Sequence, residues 1–154
     1  MIVKALEQFK ANGYYIARNL LDSQEDVIPA REGLHKTFRD QLTHLGVKVH
    51  ENEIFDSMQQ LHKYDLERYK KLAGSLWRKL EIFNLMNHGK IMGFLRNEFG
   101  WQDIFLPGGQ VVHIMAKELE IPDGYFGFVA HQDFPSVQGS LDGVVAWVPL
   151  VNVD

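Results

Sequence analysis

Apolar residues recur at helical spacing through the first hundred positions and fall into short extended runs after that. Ile2, Ala5, Leu6 and Phe9 mark one face of an amphipathic helix over the first dozen residues, which Asn12-Gly13 ends. Tyr14 to Ile16 reads as a short strand. Asp22 and Ser23 are N-cap candidates for a helix running to about Leu45, with Leu34, Phe38, Leu42 and Leu45 as its buried stripe and Gly46 as its stop. Pro29 conflicts with a start at Ser23, so this helix either begins near Pro29 or is kinked there. Ile54, Met58 and Leu61 predict a further short helix. Asp65 is placed to cap a longer one carrying Leu66, Tyr69, Leu72, Leu76, Leu80 and Phe83, and Asn87 to cap another with Ile91, Phe94, Leu95 and Phe99, closed by Gly100. Leu34, Phe38, Leu76, Leu80 and Phe94 are the expected anchors of the core.

Beyond Gly100 the texture changes. Pro107-Gly108-Gly109 and Pro122-Asp123-Gly124 are turn sequences. Val111 to Met115, Tyr125 to Asp133 and Val144 to Val151 read as strands, the last apolar enough to be covered on both faces. The order is therefore α+β in one domain spanning 1–154, helical to about residue 100, with no βαβ alternation.

Composition narrows the function classes. The chain has 154 residues, 45% of them apolar, so it can bury a core. Its net charge of −4 gives no electrostatic case for nucleic acid or an anionic membrane, and neither is expected as a partner. With no cysteine, it has no disulfide, thiolate zinc site, iron–sulfur cluster or Cys nucleophile. The N-terminus lacks the apolar region of a secretory signal, and no apolar run is long enough to span a bilayer, so a cytoplasmic location is expected.

The candidate chemistry lies at His131-Gln132-Asp133. Of seven histidines, His131 alone has a carboxylate two positions on. On a strand, residues two apart share a face, so His131 and Asp133 could present two ligands of a 2-His-1-carboxylate iron site while Gln132 points away. The alternative is a surface histidine beside a turn aspartate.

The longer context carries a resemblance. The stretch from His113 to Asp154 resembles the phytanoyl-CoA dioxygenase-like family of iron(II)/2-oxoglutarate oxygenases, through the His-Gln-Asp triplet, the Gly-Ser loop after it, and the apolar run with Trp147 and Pro149. Phe9 to Leu21 is similar to that family's opening segment. The resemblance implies a double-stranded β-helix (a jelly roll of cupin type) preceded by helices. It makes His131 and Asp133 iron ligands and places His113, Met115 and Trp147 where the family lines its 2-oxoglutarate pocket. A carboxylate at 133 implies hydroxylation rather than halogenation. The partners implied are a small organic substrate and O2. Trp147 could equally be a core tryptophan, and His113 a satisfied buried or edge histidine. The family's distal histidine and 2-oxoglutarate-binding arginine have no counterpart in these residues. The expectation is thus an N-terminal portion of a longer protein, whose 154 residues alone bind iron(II) weakly and do not turn over 2-oxoglutarate. Two other readings stay open: a non-catalytic jelly-roll binding module, and a cupin-type metal-dependent isomerase or hydrolase.

Overall fold

A computed structural model describes residues 4–49, 53–106, 110–122 and 143–153. The six α-helices among them are α1 (Lys4–Asn12), α2 (Ile28–His44), α3 (Ile54–Tyr64), α4 (Leu66–Ala73), α5 (Leu80–Met86) and α6 (Gly89–Phe99). A π-turn at Ser23–Val27 precedes α2, and single 3₁₀ turns lie at Leu76–Arg78 and Lys117–Leu119.

Local sequence chemistry sets most of the helix ends. The Asp22 carboxylate accepts from the backbone N–H of Gln24 and Glu25 at 2.8 and 2.9 Å, opening the π-turn. Helix α2 then starts at Ile28 with Pro29 in its first turn, where the missing N–H leaves no bond unmade. Its end is set by Gly46 at φ +68°, in the left-handed region that favours glycine. Asp65 caps α4 by accepting from Arg68 N–H at 3.0 Å. Before α6 the cap is His88 rather than Asn87: its Nδ1 accepts from Lys90 N–H at 3.2 Å, while Asn87 ends α5 and donates its amide to the Phe83 carbonyl.

The long helix expected after Asp65 is broken. Gly74 ends α4, the Ser75 hydroxyl bonds back to the Leu72 carbonyl at 2.9 Å, and the 3₁₀ turn intervenes before α5. The break resets the helical phase. Ile82 and Leu85 face the core, whereas Leu80 is 66% and Phe83 49% exposed. Of the five expected anchors, Leu34, Phe38 and Leu76 are buried. Phe94 is half-buried and stacked on Tyr15, and Leu80 faces solvent.

The main core joins Leu34, Phe38 and Leu42 of α2 to Met58 and Leu61 of α3, with Tyr69, Leu76, Ile82 and Leu85 closing its sides. A polar bond crosses the same interface, His35 Nε2 to Ser57 Oγ at 3.0 Å, both residues buried. A smaller cluster joins Ala5 of α1 to Ile91, Leu95 and Phe99 of α6. Asp26, its side chain 8% exposed, ties the π-turn to the start of α6 through Lys90 Nζ and His88 Nε2.

The expected α+β class, with part of a double-stranded β-helix, is overturned: no strand forms among the described residues. Tyr14 to Ile16, residues 110–116 and residues 143–149 are extended or irregular without a ladder. A strand is defined by a hydrogen-bonded partner as much as by its own alternation, and Tyr125 to Asp133, the run expected between the other two, lies outside the described residues. The two C-terminal segments instead lie along the helices. Val112, Ile114, Ala116, Val148 and Leu150 pack on the main core. Leu119 is fully seated there, and His62 Nε2 bonds the Glu120 carbonyl at 2.9 Å.

Replacing Phe38 by Ala is expected to cost about 3–5 kcal/mol, and Leu61 by Ala about 2–5 kcal/mol. Leu80→Ala should lie within about 0.5 kcal/mol of wild type. Urea unfolding midpoints order the three. The Lys90 hydrogen bond, then the Asp22 backbone bond, hold the Asp26 carboxyl below its ordinary value of 3.8. A depressed folded value means a stabilisation present above pH 3.8 and lost as pH falls through the lower folded value. Asp26→Asn should therefore be less stable than wild type at neutral pH, with the gap closing on acidification, as followed by thermal melts from pH 7 to 2.

Candidate functional site

The residues singled out in the C-terminal third separate into two groups. His131 and Asp133, the proposed iron ligands, lie outside the described residues, as does the shared face expected of them. His113, Met115 and Trp147 are described, and all three are exposed.

Alternation explains the direction in which the first two point. Between Val111 and Ala116 every second residue is set inward: Val112, Ile114 and Ala116 rest on the helical core, so Val111, His113 and Met115 turn away from it. Met115 is 58% exposed. The same logic holds in the other segment. Val148 and Leu150 are held by the helices, while Val145, Trp147 and Pro149 face out, with Trp147 67% exposed. Trp147 is accordingly not a core tryptophan, and His113 is not buried. Nor is the Val144–Val151 run covered on both faces; the helices cover one. The structure gives 113 and 115 a common, exposed side.

Elsewhere among the described residues no buried polar side-chain atom lacks a hydrogen-bond partner. No group of three His, Asp or Glu side chains is close enough to hold a metal ion. The fit of iron therefore rests on the donor types at 131 and 133, an imidazole nitrogen and a carboxylate oxygen, which suit a divalent first-row metal. His35 and Ser57 are hydrogen-bonded to each other and sealed from solvent, so neither is positioned to act on a substrate. Burial pushes the Tyr69 phenol up to about 12, so it stays protonated at neutral pH. A shallow open groove between α2 and α4 is lined by Gln41, Asp65, Glu67, Arg68 and Lys71, within which Arg68 pairs with Asp65 and donates to the Gln41 side chain.

Sequence reasoning missed the His88 cap, having assigned that helix start to Asn87, and it missed the contact of His88 Nε2 with Asp26, a residue far from it in sequence. It also missed the paired use of His62, which clamps the C-terminal segment by the Glu120 carbonyl. His62→Ala should loosen that segment, and the readout is faster amide exchange over residues 112–121 with α2 and α3 protected as before.

In comparisons with known proteins, no family model, no curated protein and no solved structure matches this chain.

Proposed function

We propose that the chain belongs to a non-haem iron(II)/2-oxoglutarate-dependent oxygenase, a hydroxylase of a small organic substrate, with His131 and Asp133 as iron ligands. The observation that carries this reading is the run from His113 to Asp154, where the His-x-Asp pair is followed by a Gly-Ser loop and an apolar segment with Trp147. A His-x-Asp pair alone is a weak signal; its setting raises it.

The roles follow from donor chemistry. His131 binds through a neutral ring nitrogen and Asp133 through its ionised carboxylate, so binding weakens as pH falls and both donors take up protons. Together they supply one net negative charge against the metal's two positive charges. When bound, iron and 2-oxoglutarate supply the oxidising chemistry, and the chain supplies ligands and positioning. A carboxylate at 133 fills a coordination position that halogenating oxygenases leave to halide, which favours hydroxylation. His113 and Met115 share an outward side, consistent with facing a ligand rather than filling the helical core.

The experiment measures succinate formed from 2-oxoglutarate with and without iron(II), beside iron(II) affinity. A fall in iron(II) affinity of at least tenfold in His131→Ala and in Asp133→Ala is the expected result, and any iron-dependent succinate should be lost in both variants. Iron affinity unchanged in both variants overturns the assignment of the ligands.

A further inference from the structure

The break in the helix after α4 leaves an apolar surface with a positive edge. Trp77, Leu80 and Phe83 are 37%, 66% and 49% exposed within seven consecutive residues. They are outward for a physical reason: the same two turns commit Leu76, Ile82 and Leu85 to the core. Exposed side chains of this size, clustered and rimmed by polar groups, mark interaction sites.

Charge selects among partners. From Leu66 to Met86 the chain carries five basic residues, Arg68, Lys70, Lys71, Arg78 and Lys79, in a protein whose net charge is −4. Asp65, Glu67 and Glu81 pair with Arg68, Lys70 and Lys79. Lys71 and Arg78 have no ion-pair partner among the described residues. The Arg78 guanidinium lies over the Trp77 ring, 4.9 Å from its centroid, so a cation sits directly on the apolar patch. Three side chains fall well short of the roughly 800 Å² that each partner buries in a stable protein interface. Shallow insertion into a bilayer surface needs much less, and tryptophan with flanking cations is the composition that sits at the headgroup boundary.

We propose that the outward face of residues 76–86 is a peripheral docking surface for anionic lipid bilayers. The chain's net charge of −4 repels such a surface, whereas residues 76–86 carry Arg78 and Lys79 against Glu81, and Arg78 is left without an ion-pair partner among the described residues. At about 0.1 M salt the Debye length is about 10 Å, so charges farther from Arg78 than that are largely screened. The described helices include none long and apolar enough to cross a membrane, so the contact is one of surface docking.

Flotation of the 154-residue chain with phosphatidylcholine vesicles containing phosphatidylglycerol, against pure phosphatidylcholine vesicles, tests this. Co-flotation with the anionic vesicles alone is expected. Arg78→Gln should weaken it about fivefold. The pair Leu80→Gln and Phe83→Gln should abolish it, and Tyr64→Gln, an exposed aromatic on α3, should leave it unchanged. All these positions are solvent-facing, and circular dichroism confirms that each variant is folded. Absence of flotation, equal flotation with both vesicle types, or flotation that the Leu80/Phe83 variant retains overturns the proposal. So does binding to an acidic polypeptide without binding to vesicles.

Discussion

Everything described in this chain hangs on the packing of α2 against α3. Phe38, Leu42 and Leu61 are wholly buried there, and each is worth several kcal/mol against a domain stability of about 5–15 kcal/mol. The remaining elements attach to that pair in turn. Tyr69 of α4 tilts against Phe38, Ile82 and Leu85 of α5 close one side, and the extended C-terminal segments lay alternate residues across what is left. The His35–Ser57 bond adds direction to an otherwise apolar interface, because only one register of α2 on α3 brings the ring and the hydroxyl to 3.0 Å. Losing one partner would strand the other in a dry site, which is costlier than never having had the pair.

The second cluster, of α1 and α6, is smaller and is joined to the first at a few points. Leu21 and Val148 pack on both. The Asp26 contacts with His88 and Lys90 provide a polar link. Phe99 sits at the centre of an aromatic group with Phe9, Phe94 and Trp101, and Tyr15 stacks on Phe94 at its margin. Val148 has a particular place in this arrangement: one residue of the C-terminal segment touches both clusters, which orients its neighbour Trp147 away from them.

That orientation bears on function. The helical layer takes the inward-facing members of two extended segments and leaves Val111, His113, Met115, Val145 and Trp147 on the other side. The oxygenase reading needs His131 and Asp133 to present donors to a ligand, and the flanking residues at 113, 115 and 147 are exposed. The membrane-facing surface proposed at residues 76–86 arises from a separate feature, the phase reset after Gly74, and stands whether or not the chain binds iron.

The sequence by itself determined the features that depend on neighbours three or four residues apart. Asp22, Asp65, Gly46 and Gly100 end or begin helices through bonds and backbone angles that are local, and the α2 stripe of Leu34, Phe38 and Leu42 follows from periodicity alone. Tertiary structure decided the rest. Extending one helical stripe through Gly74 and Ser75 put Leu80 and Phe83 inside, whereas the turn rotates them out, and no pattern read in one register can register such a reset. Val111 to Met115 read as a strand, but whether a segment becomes a strand depends on a backbone partner elsewhere in the chain, and here its inward residues met helices. Asp26 with Lys90, 64 positions apart, and His62 with Glu120, 58 apart, were invisible for the same reason: a contact between distant positions is fixed by how the helices pack, and nothing in either residue's immediate neighbourhood records it.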